Sequence, residues 1–315
     1  MDNILSEELI IVTPIYEDTA ASTLLFQELS STFKQRVFIV AVDDGSVRDP
    51  VDIASIKSAK LKGVVIKLKR NVGHQRAISI GLSFVAEHIN DSQQVVVMDS
   101  DGEDTPISVK DLVNAVKTES VDIAVAQRKS RVESLKFKAF YVVYKWIFNL
   151  LSGKKISFGN FMALTPASVK RLASMQELGI HIAGTVLSSK LRVKTVLLDR
   201  GARYAGKSKM NFVGLVLHGF KGLMIFAEDV LVRVGVASAI VAGATLSASI
   251  IASILKVTGF ATPGWFSVAL GILLLVFLQT GTMTLMMLML TGVVKGGSVI
   301  PLNYETFVDK VIYVK

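Results

Sequence analysis

Along the first 126 residues, short β-branched and aliphatic runs alternate with segments whose apolar positions recur at helical spacing. The runs are 9 to 13 (LIIVT), 37 to 42 (VFIVAV), 63 to 68 (GVVIKL), 94 to 98 (QVVVM) and 121 to 126 (VDIAVA). Strands apolar on both faces and separated by helices predict an α/β domain built on a mostly parallel sheet. The last third of the chain is patterned differently. Residues 234 to 255 (VGVASAIVAGATLSASIIASIL) carry no charge, and a helix of that length spans roughly 33 Å, enough for a hydrocarbon core. After Lys256, a second uncharged run extends from Val257 to Val294. Gly259, Pro263 and Gly264 predict a turn there, leaving a second span near 265 to 290 and hence a transmembrane hairpin.

Two amphipathic stretches lie between these regions. In 137 to 151, Phe137, Phe140, Tyr141, Tyr144, Ile147, Phe148 and Leu151 recur every three or four residues, an aromatic stripe among lysines that suits either the bilayer surface or the protein's own sheet. Residues 210 to 232 lead directly into the first span and have the stronger claim to the interface. The organisation expected is a catalytic-type α/β domain over 1–209, interfacial amphipathic helices over 210–233, a hairpin over 234–294 and a cytoplasmic tail over 295–315.

Composition agrees with a lipid-facing part: 51% of the 315 residues are apolar and 19% charged. With no cysteine, a disulfide framework, a thiolate metal site and a cysteine nucleophile are excluded. The net charge of +9 points to a polyanionic partner. Eight Lys or Arg fall in 128 to 155 against Glu133 alone, and seven in 190 to 209 against Asp199. The acidic N-terminus (MDNILSEEL) lacks the basic start of a secretory signal, so residues 1 to 233 are expected in the cytoplasm. Arg233 and Lys295 flank the hairpin on that side, with Lys256 in its connecting loop as a mild dissent.

In parallel sheets ligands bind at the carboxyl ends of the strands, and there the polar residues cluster. Thr13-Pro14-Ile15-Tyr16-Glu17 follows the first run, Asp43-Asp44-Gly45-Ser46 the second, Arg70-Asn71-Val72-Gly73-His74-Gln75 the third and Asp99-Ser100-Asp101-Gly102-Glu103-Asp104 the fourth. Asp99, Asp101 and Glu103 are carboxylates at alternate positions; such a set repels itself unless a cation neutralises it, and hard oxygen ligands suit Mg²⁺ or Mn²⁺. No GxxxxGK[ST] or GxGxxG loop is present, so phosphates must be held by metal and cationic side chains.

Taken in order, Pro14-x-Tyr16-Glu17, Val42-Asp43-Asp44-Gly45-Ser46, Arg70-Asn71-x-Gly73-His74-Gln75, Asp99-x-Asp101-x-Glu103-Asp104-x-Pro106, Arg200-x-x-Arg203-x-x-Gly206-x-Ser208-Lys209 and the C-terminal hairpin resemble the membrane-anchored polyprenyl-phosphate glycosyltransferases of family two, relatives of dolichyl-phosphate mannose synthase. The resemblance implies a GT-A fold and a hexosyltransferase. It places Pro14, Tyr16, Glu17, Asp43 and Asp44 at the nucleoside, and Asp99, Asp101 and Glu103 at the metal, with Asp101 as the catalytic carboxylate. Asp99, Arg128, His74 and Gln75 fall at the donor sugar or diphosphate, and Arg131, Arg203, Ser208 and Lys209 at the acceptor or its phosphate. Glu103 stands where the family usually has Gln, which adds a charged oxygen. Gly159-Asn160-Phe161-Met162 replaces the family's Gly-Asp-Phe-Arg, losing a carboxylate and a guanidinium together.

The implied reaction is inverting transfer of a sugar from a UDP- or GDP-sugar to polyprenyl phosphate at the cytoplasmic membrane face. Expected partners are the donor, the lipid acceptor and the bilayer, with a homo-oligomer compatible and nucleic acid excluded. Two other readings stand beside it: transfer to a lipid or glycan hydroxyl, which requires a base, and a non-catalytic membrane-anchored binding module, which has no use for three clustered carboxylates.

Overall fold

The computed structural model describes residues 5–129, 135–204, 212–260, 262, 264–296 and 303–314. The chain divides into two compact units. One comprises Met1–Tyr141, Ile156–Ile225 and Val299–Lys315, and the other Val142–Lys155 and Phe226–Ser298.

The first unit alternates strand and helix: β1 (Leu9–Ile15), α1 (Thr19–Phe33), β2 (Phe38–Asp43), α2 (Ile53–Ser58), β3 (Lys62–Leu68), α3 (His74–His88), β4 (Gln94–Val97), α4 (Pro106–Thr118) and β5 (Ile123–Arg128). There follow α5 (Leu135–Ser152), which belongs to the second unit from Val142 onward, and then β6 (Met162–Leu164), α6 (Pro166–Ala173), α7 (Ile182–Ser188), β7 (Val193–Leu198) and α8 (Phe212–Met224) of the first. The eight-stranded sheet has the order β7-β5-β6-β4-β1-β2-β3-β8, where β8 is Val308–Val314. Pairings among β1 to β4, and of β5 with β7, are parallel; β6 runs antiparallel between β4 and β5. The five strands expected from the apolar runs are all present.

Strand alternation sorts the core onto two faces. Ile10, Val12, Val40, Val42, Val64 and Ile66 pack with Ala77, Ile78 and Val85 of α3. Ile11, Ile39, Ala41 and Val65 face the opposite way, onto Leu25, Phe26 and Leu29 of α1, Ile56 of α2 and Leu112 of α4. Helix α3 lies close enough that a Cβ added at Gly81 would stand 2.6 Å from Val12 Cγ1.

The segment read from the sequence as a tail ends in β8, antiparallel on β3. An uncovered β3 edge would expose a row of unpaired backbone groups. The return is fastened by Tyr304, whose hydroxyl donates to Glu87 Oε2 at 2.5 Å, and by Lys69 Nζ, which donates to the Thr306 carbonyl at 3.0 Å. The Arg76 guanidinium lies 5.5 Å from the centre of the Phe307 ring.

The second unit contains α9 (Ala227–Val257) and α10 (Trp265–Gly296), both long and apolar enough to cross a membrane. Gly235, Ser238, Ala242 and Ala252 of α9 are buried while large residues such as Ile240, Ile251, Leu275 and Leu285 are exposed. Small residues inside and large apolar ones outside are the arrangement suited to helices in lipid rather than in water. The expected interfacial segment 210–233 is split: α8 ends at Met224, and residues 227 to 233 already belong to α9.

Candidate active site

Beyond β1 and β2 the acidic side chains are committed to backbone donors. The Glu17 carboxylate accepts the N–H groups of Val47 at 2.9 Å, Arg48 at 3.1 Å and Asp49 at 2.7 Å, and these bonds hold its pKa below the usual carboxylate value. Its own N–H donates to Ser46 Oγ at 2.8 Å, and Asp43 Oδ1 accepts the Ser46 N–H at 2.9 Å. Asp44 reaches the next loop, accepting the N–H groups of Val72 at 2.7 Å and Gly73 at 3.0 Å. Burial raises its pKa and those two donors oppose the shift. Glu17 and Asp44, expected at the nucleoside, also shape loops 46–49 and 72–73. Pro14 is buried within β1, and Tyr16 just beyond it is exposed.

The loop after β4 carries the carboxylates. Gly102, at φ +89°, turns it. Asp104 Oδ2 accepts the Asp99 N–H, and Asp101 Oδ1 the Glu103 N–H, each at 3.0 Å. Residues 200–204 clasp this loop: the Gly201 N–H donates to the Glu103 carbonyl and the Tyr204 N–H to the Asp101 carbonyl, both at 2.9 Å. A Cβ at Gly201 would lie 2.5 Å from the Gly102 carbonyl oxygen, so the close approach requires glycine. Arg203 Nη2 stands 2.9 Å from Asp101 Oδ2 and its Nε 3.0 Å from Glu103 Oε1, while Arg200 pairs with Glu103 Oε2. Tyr204 donates its hydroxyl to Glu28.

Charge in this loop is only partly balanced. Burial raises the pKa of Asp101. Asp104 is pushed up to about 8, first by burial and then by the neighbouring Asp99. Burial acts on Asp99 too, but His74, Arg200 and Arg203 outweigh it and lower its pKa. Burial likewise opposes a charge on His74, and Asp99, with Asp104 and Asp44 behind it, raises that pKa in spite of it.

His74, the first residue of α3, brings Nε2 within 3.2 Å of Asp99 Oδ1. The same nitrogen lies 3.0 Å from Asn160 Nδ2, and Gln75 Nε2 donates to Asn160 Oδ1 at 3.1 Å. Gln75 Oε1 accepts the Ile182 N–H at 2.8 Å, so Gln75 is held by the chain itself at the start of α7. His181, which caps α7 by accepting the Gly184 N–H on Nδ1 at 3.0 Å, meets His218 of α8 with Nε2 atoms 3.2 Å apart.

The structure thus gathers Asp99, Asp101, Glu103, His74 and Arg203, with Gln75 behind them. Arg128 ends β5, in register with Leu198 of β7; Arg131, Ser208 and Lys209 lie outside the described residues. Sequence reasoning did not assign Asn160, Arg200 or the His181–His218 pair. Arg200 was legible in its own motif, three residues before Arg203, whereas nothing local marks the histidines.

A divalent cation fits this loop. Asp99 Oδ1 is buried and accepts no hydrogen bond, and the oxygen donors suit Mg²⁺ or Mn²⁺. Among the described residues no three His, Cys, Asp or Glu side chains form a group placed to hold a metal by themselves.

Residues 10–164 match the family model for glycosyl transferase family 2. The chain is a glycosyltransferase. Similar proteins include the uncharacterized glycosyltransferases YkoT and YkcC of Bacillus subtilis. YkoT is 28% identical over 76% of this chain and 71% of its own length, and YkcC is 23% identical over 96% and 92%. Among solved structures, glucosyl-3-phosphoglycerate synthase from Mycobacterium tuberculosis, in complex with Mn²⁺, UDP-glucose and phosphoglyceric acid, is 17% identical. The match covers 72% of this chain and 80% of that one, with a TM-score of 0.49. The glycosyltransferase has an α/β GT-A fold on a mostly parallel sheet, with two long apolar helices near its C-terminus.

Proposed function

We propose that this glycosyltransferase moves a sugar from a UDP- or GDP-sugar to polyprenyl phosphate at the cytoplasmic face of a membrane, inverting the anomeric centre. One observation carries the lipid acceptor. The apolar pair α9–α10 is followed by β8, which rejoins the sheet whose β4 leads into Asp99 and Asp101. A catalytic domain joined at both ends of a lipid-soluble hairpin stays at the bilayer, where a water-soluble donor meets a membrane-bound acceptor and proximity supplies part of the rate.

In the proposed step a phosphate oxygen of the acceptor forms the new bond to the anomeric carbon. The bond to the donor diphosphate breaks, and its electron pair leaves with the nucleoside diphosphate. A phosphate oxyanion is already a nucleophile at neutral pH, so no strong base is required. Mg²⁺ or Mn²⁺, held by Asp99, Asp101 and Glu103, would stabilise the charge of the leaving diphosphate. Arg203 is poised beside these carboxylates to turn its fork to a phosphate when the charges rearrange. Arg128, Arg131, Ser208 and Lys209 are assigned to phosphate on the motif alone.

Membranes containing the enzyme should be incubated with a panel of radiolabelled nucleotide sugars, with and without polyprenyl phosphate and Mn²⁺, and the lipid extracted. Label entering lipid only with both additions is expected. Transfer to an endogenous hydroxyl acceptor, with no response to polyprenyl phosphate, would overturn the reading.

A further inference from the structure

Asp99, Asp101, Glu103 and Asp104 place four carboxyl groups within six residues, and charges so close push their loop apart. Arg200 and Arg203 offset part of that charge, but they reach the loop through the carboxylate oxygens of Asp101 and Glu103, the atoms that a cation would also use. Tyr204 and Gly201 hold the same loop without touching those oxygens. The Tyr204 N–H donates to the Asp101 carbonyl and the Gly201 N–H to the Glu103 carbonyl, both at 2.9 Å. The Tyr204 ring lies on Gly102: a Cβ built there would stand 2.6 Å from Cδ2 and Cε2 and 2.8 Å from Cγ. Three ring carbons at so nearly one distance mean that the ring presents its flat face, and only glycine admits it. The far end of Tyr204 is tied down as well. Its hydroxyl donates to Glu28 of α1, and its ring packs against the core cluster to which Leu25, Leu29 and Leu112 belong.

We propose that Tyr204 is a positioning residue for the carboxylate loop, fixing the backbone of Asp101 and Gly102 through its N–H and the face of its ring so that the carboxylates are placed for a divalent cation and the donor diphosphate. The proposal rests on the nucleotide-sugar reading above. Tyr204 brings no charge to the loop, so its contribution is one of shape. Because it grips backbone and the bare Cα of a glycine, its hold does not compete with a ligand for oxygens, whereas that of Arg203 does. Gly201 belongs to the same seam: a Cβ there would stand 2.5 Å from the Gly102 carbonyl oxygen and 2.7 Å from Thr105 Cγ2.

Two variants separate the ring from its hydroxyl. Tyr204→Phe keeps the flat face on Gly102 and gives up only the bond to Glu28, whereas Tyr204→Leu keeps apolar bulk whose branched end cannot lie so close. Binding of UDP and of GDP to the full-length protein in detergent is measured by calorimetry, with Mn²⁺ and again in EDTA. Tyr204→Leu is expected to lose about tenfold or more of the affinity that Mn²⁺ confers, the size of effect usual for groups that orient metal ligands. Its binding in EDTA and its melting midpoint should stay near wild type, and Tyr204→Phe should remain within about threefold throughout. Gly201→Ala, which forces the same seam apart, should repeat the leucine result and decides the matter if Tyr204→Leu does not fold. Unchanged Mn²⁺-dependent binding in either variant, an equal loss in EDTA, or equal losses in Tyr204→Phe and Tyr204→Leu would overturn the role assigned to the ring. If wild type binds nucleotide with Mn²⁺ but passes no sugar to polyprenyl phosphate, the proposed acceptor falls, and the binding measurements still decide Tyr204. Wild-type binding indifferent to Mn²⁺ would overturn the inference outright.

Discussion

Arg203 lies directly on Asp101, with Nη2 2.9 Å from Oδ2 and Nε reaching past it to Glu103. The guanidinium offsets part of the negative charge of the loop that, in the proposed reaction, takes a cation and a diphosphate. Arg203→Ala should therefore raise the KM of one phosphate-bearing substrate about ten- to a hundredfold and leave the other nearly untouched. Arg203→Lys should recover only part, because a point charge replaces a two-pronged fork. Steady-state kinetics with each substrate varied in turn checks this; wild-type constants in both variants would make the pair merely structural.

Asp101→Ala should abolish transfer while the thermal unfolding midpoint stays within a few degrees of wild type. Wild-type activity should fall in EDTA and return with Mn²⁺. Full activity of the variant in EDTA would remove both Asp101 and the cation from the mechanism.

Gly45 and Gly73 both have positive φ, +69° and +91°. A Cβ at Gly45 would stand 2.3 Å from the Arg70 carbonyl carbon, whereas one at Gly73 would meet nothing within 4 Å. Gly73→Ala should cost about 1 kcal/mol of backbone strain. Gly45→Ala should cost roughly 3 kcal/mol or more, since backbone must move. Circular-dichroism melting of the two variants measures the difference, and equal midpoints would contradict it.

Burial, then His218 and Lys221, lower the His181 pKa to about 3, and burial, then His74 and Lys221, lower that of His218. Unfolded histidine titrates near 6.5, so below that pH the unfolded chain binds protons that the folded chain refuses. The stabilising contribution is complete above about pH 6.5 and is lost as pH falls toward 3, at up to about 1.4 kcal/mol per pH unit for each group. Asp104, with its raised pKa, acts in the opposite sense. The informative quantity is therefore the difference between wild type and His181→Asn. The gap between their melting midpoints at pH 7.5 should narrow by pH 5.5; a constant gap would show that His181 titrates normally.

Because β8 pairs with β3, both flanks of α9–α10 return to one sheet, and a membrane-spanning pair must cross an even number of times. A reporter fused after Lys315 should read as cytoplasmic, and truncation after residue 302 should lower the melting midpoint by uncovering the β3 edge. A reporter signal from the far side would require one or three crossings.

The five parallel strands and the two long apolar helices were legible in the sequence because their signals are local: β-branched runs of strand length and uncharged runs longer than twenty residues. The polar sets at the strand ends were legible for the same reason, since a parallel sheet delivers every strand's carboxyl end to one edge. Strand β6, three residues long, is too short to show a period, and β8 reads as a mixed tail until β3 offers it an edge.

What each polar residue does was decided only in three dimensions. Glu17 and Asp44 resemble ligand carboxylates in sequence, and in the fold they also hold backbone N–H groups 28 to 32 residues away. Asn160, in sequence a lost carboxylate, is the link between His74 and Gln75, and Gln75 takes its direction from an N–H 107 residues further on. Hydrophobic pattern is a property of neighbours along the chain, so the sequence determined the elements. Hydrogen-bond saturation is a property of neighbours in space, so folding alone determined which side chains are already satisfied and which remain able to meet a substrate.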